Sequence, residues 1–225
     1  MHPLDDPVWN ALTTRQAALA EGGALARRYP RDIAPFAAMA AASPEGFAAL
    51  ATLISPADYV VLFTPDPVTP PAGFKVHLAK SGEQMVGTPA EAAAGATDIV
   101  ELSAADVPAM MELTKLTNPG PFALRAHELG TFLGIRHQGR LVAMAGERMK
   151  PANYTEITAV CVHPSQRGRG YGQILLAAVS RQILARGEVP FLHVFSDNDG
   201  AIALYRRQGM VIRRSMCVTV LGRNV

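Results

Sequence analysis

The stretch Val160-Cys161-Val162-His163-Pro164-Ser165-Gln166-Arg167-Gly168-Arg169-Gly170-Tyr171-Gly172 decides how this chain is read. Thr155 to Val162 has the character of a strand, Pro164 turns the chain, glycines stand at 168, 170 and 172, and a helical pattern begins near Gly172. A helix start leaves its first N–H groups without partners, and these converge with the helix dipole on one point, an anion site. Glycines let the backbone approach an oxyanion with no Cβ in the way. Arg167 and Arg169 add charge and forked donors. The segment is built for a phosphate. A P-loop needs a lysine followed by Ser or Thr, which is missing here. A dinucleotide fold needs Gly-x-Gly-x-x-Gly, and the spacing here is Gly-x-Gly-x-Gly, although Asp197 does follow the next strand. The bland alternative is a glycine turn that only starts a helix.

Outward from this turn the second half is legible. Leu175, Val179 and Ile183 recur every four residues along a helix from about 172 to 186, and Gly187 ends it. Phe191 to Phe195 is the next strand. A short helix from about Asn198 to Gln208 presents Ala201, Leu204 and Tyr205 on one face. Met210 to Ile212 and Met216 to Leu221 are expected as two closing strands. Upstream, Ile99 to Leu102 is a strand, and Ser103-Ala104-Ala105-Asp106 caps the helix carrying Val107, Met110, Met111 and Leu113. Asn118-Pro119-Gly120-Pro121 breaks that helix. Phe132 to Ile135 and Leu141 to Ala145 form a hairpin around His137-Gln138-Gly139-Arg140. In strand 155–162, simple alternation turns Ile157, Ala159 and Cys161 one way, and Glu156, Thr158, Val160 and Val162 the other.

The first half is rich in alanine and poor in motifs. Trp9 to Arg28 reads as a helix, a second helix starts near Ser43-Pro44, Tyr59 to Phe63 is a buried strand, and Pro65 to Gly73 is a loop. Ala90 to Ala96 is almost wholly small residues and reads as a linker. It divides a smaller α/β region, 1–95, from a larger domain, 96–225.

The bulk numbers exclude several classes. Of 225 residues 49% are apolar, enough for a sizeable core, and the net charge of +2 with no basic stripe argues against a nucleic-acid partner. No stretch reaches the roughly 20 apolar residues of a membrane span, and the acidic start is no signal peptide, so the expected location is the cytoplasm. Cys161 and Cys217 lie in apolar strand-like stretches and read as buried thiols. His77 and His127 lack partners at metal-ligand spacing, and no metal is expected.

Two motifs carry a resemblance. Arg167-x-x-Gly170-x-Gly172, after a strand ending Val160-Cys161-Val162-His163-Pro164, resembles the cofactor signature of the GNAT acyltransferase superfamily. Asn198-x-x-Ala201-x-x-Leu204-Tyr205-x-x-x-Gly209-Met210 resembles the family's second segment, with Met210 in place of the usual Phe. The element order from about 97 to 221 agrees. The first 95 residues lack these motifs and are similar to an added or degenerate half of a two-lobed acyltransferase.

The resemblance implies a mixed α/β sheet in which two parallel strands splay to admit acetyl-CoA as co-substrate, with helices on both sides. It implies that Val160, Cys161 and Val162 offer backbone groups to the pantetheine arm, and that the Val160 N–H stabilises the oxyanion. Arg167, Gly168, Arg169, Gly170, Tyr171, Gly172 and Gln173 would hold the pyrophosphate, and Asn198 a pantetheine amide. Tyr205 matches the position of a general acid. Glu156 matches that of a general base, and His193 stands where some relatives carry a catalytic carboxylate. The expected reaction is acetyl transfer to a primary amine of a small molecule, amino acid or peptide, by a monomer or homodimer. The other reading is a CoA-binding regulatory domain without turnover. The acceptor is left open; the loop near 117–128, the hairpin and the last strands would choose it.

Overall fold

The structure, a computed structural model, describes residues 2–87 and 98–224. The linker expected at Ala90–Ala96, and with it the boundary near residue 95, lies outside the described residues. Strands from both sides of it nevertheless share one sheet.

Eight strands form this sheet: β4 (Tyr59–Thr64), β5 (Phe74–Val86), β6 (Ile99–Leu102), β7 (Phe132–His137), β8 (Arg140–Glu147), β9 (Tyr154–Val162), β10 (Val189–Phe195) and β11 (Val211–Arg223), in the spatial order β4-β11-β5-β10-β9-β8-β7-β6. All neighbours are antiparallel except β9 and β10. A small second sheet joins β1 (Glu21–Gly22), β2 (Ala26–Arg28) and β3 (Ala37–Met39). The helices are α1 (Pro7–Thr13), α2 (Pro44–Thr52), α3 (Val107–Thr117), α4 (Tyr171–Ala185) and α5 (Asp199–Arg207).

The helix starts follow from local chemistry. The Asp6 side chain accepts from the Trp9 N–H at the head of α1, and Ser43 accepts from Gly46 at the head of α2, each helix having proline in its first turn. The capping box read at Ser103 and Asp106 is present and opens a 3-10 turn that runs into α3. Asn118 ends α3 in the left-handed region.

Three layers result. One face of the sheet packs against α4, where Leu175, Val179 and Ile183 meet Ile157, Leu192 and Val194. On the other face α3 covers β6 to β9, with Met110 and Leu113 against Phe132, Met144, Ala159 and Cys161. Beside α3 the first half of the chain lays Leu4, Val8, Leu12, Tyr29 and Phe36 onto Phe63, Met149, Phe191 and Met216. Each such fully buried aliphatic or aromatic side chain is worth about 1.5–3 kcal/mol.

Two expectations are corrected, and one strand is new. Trp9 to Arg28 is not one helix: α1 ends at Thr13, where Thr14 leaves helical dihedrals at φ −126° and ψ −102°, and a 3-10 turn at Ala17–Leu19 leads to β1 and β2. The two closing strands are one, β11, with a register irregularity between Ile212 and Arg214. The strand between β10 and β11 is β5, unread in the sequence. It pairs with β11 from Val211↔Val86 to Arg223↔Phe74 and with β10 from Phe191↔Val86 to Phe195↔Gly82. The strand flanking β10 on that side thus comes from the first half of the chain.

Candidate active site

Strands β9 and β10 run parallel and pair only at their beginnings, Tyr154, Thr155 and Glu156 against Val189, Pro190 and Phe191. Beyond that point no register joins them, and the two backbones part. A bulge accompanies the parting. Between the pairs Gly146↔Thr158 and Met144↔Cys161 the register of β8 and β9 slips, and Ala159 adopts a φ of +53°. A left-handed alanine costs about 1–2 kcal/mol, and such bulges re-aim the residues that follow.

The bulge changes what faces the gap. His163 donates to the Val142 carbonyl, which by alternation turns the backbone groups of Cys161 toward β8 and those of Val160 and Val162 toward β10. Cys161, read with its neighbours as a backbone donor to the gap, instead pairs with Met144 and buries its thiol under α3, where burial raises the thiol pKa to about 11. The side-chain alternation is broken as well. Ile157, Val160 and Val162 pack on the α4 side, and Ala159 and Cys161 on the α3 side. Glu156 and Val160 are therefore on opposite faces of β9, contrary to the simple alternation.

The far end of β9 leads through a 3-10 turn, Pro164–Gln166, to the glycine turn. Gly168 and Gly170 have φ of +77° and +76°, and Gly170 caps α4. Ile174 is the first residue of the helix whose N–H is bonded, to the Gly170 carbonyl at 3.1 Å. From Gly168 through Gln173 the N–H groups have no partner among the described residues. A Cβ at Gly168 would meet nothing within 4 Å, and at Gly170 only Gln173 Oε1 at 3.9 Å. Arg167 and Arg169 are exposed and make no ion pair among the described residues. A row of free donors, two free guanidinium groups and open space suits a pyrophosphate.

Asn198 is exposed and its Oδ1 accepts from the Ala201 N–H, so it caps α5 and leaves its side-chain NH2 free among the described residues. Tyr205, on α5, is partly buried against the core cluster that includes Leu192, Val194, Ile202 and Met210. Burial raises its phenol pKa to about 12, and its hydroxyl has no hydrogen bond among the described residues. It is a protonated donor across the neutral range.

Glu156 is wholly buried at the point where the strands part. Burial pushes its pKa up, but the Arg148 guanidinium, bound through Nε to Oε2 at 2.7 Å and Nη2 to Oε1 at 2.8 Å, outweighs it. With His193 it holds the carboxyl at about 2. Arg148 lies 4.4 Å over the Phe36 ring. His193 Nδ1 is 2.7 Å from Glu156 Oε1, and its Nε2 is 3.1 Å from Gln84 Nε2 on β5. Its ring stacks on Phe63 at 4.3 Å. His193 stands two residues beyond the last β9–β10 pair, on the face opposite α4.

Arg148 and Gln84 were not found in the sequence. For Arg148 a signal existed: a glutamate inside an apolar strand requires a cation, and Arg148 directly follows the neighbouring strand β8. For Gln84 there was none, since it comes from a strand that the sequence does not announce. Among the described residues no group of His, Cys, Asp and Glu is placed to hold a metal, and no helix is long and apolar enough to cross a membrane.

Residues 100–210 match the model of the acetyltransferase (GNAT) family. A crystal structure of a GNAT-family protein from Novosphingobium aromaticivorans superimposes with a TM-score of 0.91, at 41% identity, over 100% of both chains. The chain belongs to the GNAT acetyltransferase family. It is 40% identical over 102 residues to the N-alpha-acetyltransferase RimI of Mycobacterium tuberculosis, covering 41% of this chain and 61% of that one. It is 36% identical over 89 residues to the mycothiol acetyltransferase of Saccharomonospora viridis, covering 36% of this chain and 29% of that one. The chain thus spans 61% and 29% of those relatives' lengths, whereas the Novosphingobium protein matches it from end to end and carries the likeness across the first half.

Proposed function

We propose that the protein transfers an acetyl group from acetyl-CoA to the primary amine of a small molecule, amino acid or peptide by direct attack. The observation that carries this reading is the opening of β9 from β10 beside a turn with free N–H groups from Gly168 through Gln173. The turn, with Arg167 and Arg169, binds the pyrophosphate. Val160 and Val162 bind the pantetheine arm along the open edge of β9, and Asn198 donates its free NH2 from the other side. The Val160 N–H donates to the thioester oxygen, whose charge grows in the tetrahedral transition state, a contribution worth about 2.7–4 kcal/mol where measured by donor removal. Tyr205 donates a proton to the leaving thiolate.

Glu156 has a different part from the one its position implies. Arg148 takes both of its oxygens and His193 one of them, which favours the ionised carboxylate and makes it a poor acceptor for an amine proton. It orients His193 instead, and His193 accepts the proton. The pairing of carboxylate with imidazole Nδ1 at 2.7 Å supports this. The reading carries with it a cytoplasmic monomer or homodimer.

The competing reading is a CoA-binding domain without turnover. One relative is named for N-alpha acetylation and the other for mycothiol. Thiol release from acetyl-CoA is therefore to be followed with peptide N-termini and small-molecule amines as acceptors. Release that rises with one of them supports the enzyme. Acetyl-CoA binding with no amine-dependent release supports the silent domain.

A further inference from the structure

The His193 ring is held by groups from distant parts of the chain. Phe63 of β4 stacks on one face and Phe191 of β10 meets it edge-on at 5.6 Å. Glu156 of β9 takes Nδ1, with Arg148 behind it. Gln84 of β5, the direct cross-strand partner of His193, takes Nε2, with Arg213 of β11 and Asp5 of the N-terminal segment behind it. The side chain of His193 is only 4% exposed.

The chemistry of Gln84's neighbours fixes which way its amide faces. The Leu4 carbonyl, 2.9 Å away, has only lone pairs, so it must meet the amide nitrogen. The Arg213 guanidinium, 2.8 Å away, has only hydrogens, so it must meet the amide oxygen. The second amide hydrogen then lies on His193 Nε2 at 3.1 Å. That nitrogen carries the lone pair, and the single proton of the neutral ring is on Nδ1, donated to Glu156.

We propose that Gln84 is a positioning residue for the reaction: it holds His193 as the Nδ1–H tautomer, with the lone pair on Nε2 kept by an amide N–H that has to draw back before the ring takes up the substrate's proton. This deepens the reading of His193 as the base and rests on it. The opposite tautomer, or an imidazolium, would set an Nε2–H against the amide N–H. Turning the amide over to relieve that clash would set its nitrogen against Arg213 and its oxygen against the Leu4 carbonyl, so Gln84 yields only by drawing back from the ring. In the step itself the amine proton moves to Nε2, the nitrogen lone pair attacks the thioester carbon, and the C–S bond breaks. The Nδ1–H stays on Glu156, Tyr205 gives its proton to the sulfur, and solvent restores both groups.

The test is 15N NMR of the histidine rings in the wild-type protein at neutral pH, with His193 assigned by its loss in His193→Ala. The expected spectrum shows His193 protonated at Nδ1 and bare at Nε2. Gln84→Glu places an acceptor at Nε2. It should convert His193 to the doubly protonated form at pH 7, lower kcat/KM by about tenfold or more, and move the acidic limb of the pH profile upward. Gln84→Met, which removes the donor with little change in bulk, should move the limb in the same direction by less. A wild-type ring protonated at Nε2 overturns the proposal, and that measurement needs no variant to fold. So does a folded Gln84→Glu whose His193 remains neutral. If the tautomer is as stated but His193→Ala keeps the acidic limb, Gln84 still sets the tautomer, His193 is not the base, and the catalytic role of Gln84 falls with it.

Discussion

At Glu156 a carboxylate with no exposure is tolerated because Arg148 meets both its oxygens and His193 a third lone pair. Removing one member of such a buried pair costs about 3–5 kcal/mol, most of it the stranded charge. Arg148→Met should therefore destabilise the protein by about that amount in denaturant titration, and Arg148→Met with Glu156→Gln by clearly less. A single-variant loss below about 1 kcal/mol contradicts the pairing. The pH dependence has a definite sign. Glu156 is shifted down from 4.5 to about 2, so its stabilisation is whole above about pH 4.5 and is lost as pH falls toward 2. Wild-type Tm should fall over that window, and Glu156→Gln should fall less steeply. Tyr205→Phe keeps the ring among Leu192 and Ile202 and removes only the hydroxyl. Its kcat should drop by roughly ten- to a thousandfold with CoA affinity unchanged. Unchanged kcat assigns Tyr205 to packing alone.

Among the elements, β9 was legible as a strand but not as a bulged one. Alternation over Thr155–Val162 gives no sign that Ala159 turns left-handed, since alanine carries no preference for that region. The error it produced, placing Glu156 and Val160 on one face, is the whole cost of missing one φ angle. The glycine turn was fully legible, because Gly168 and Gly170 are required by their own dihedrals and not by distant partners. Gly170→Val puts a β-branched side chain at φ +76°, in the space above the free donors. Acetyl-CoA raises the wild-type Tm by mass action in this account, and the variant should lose that increase. A variant protected as well as wild type removes the turn from the binding site.

For the molecule as a whole, the second half could be read because its elements announce themselves locally, by periodicity, capping and turns. The first half could not. Strand β5 is largely exposed from Phe74 to Ser81 and carries Lys75, His77 and Lys80, so it lacks a strand's apolar alternation. Its place is set by pairing to β10 and β11, more than a hundred residues away. It follows that residues 96–225 alone lack the strand between β10 and β11, and with it Met85 in the core and Gln84 beside His193. Calorimetry of that fragment should show no cooperative unfolding; a sharp transition would show that β5 is dispensable. The central claim is that the gap beside β9 and the turn after it form one acetyl-CoA site. Amide NMR of the 15N-labelled protein during titration with CoA tests it most directly. The N–H signals of Val160 and of Gly168 through Gln173 should shift together along one binding curve. Binding that moves other amides and leaves these in place would contradict it.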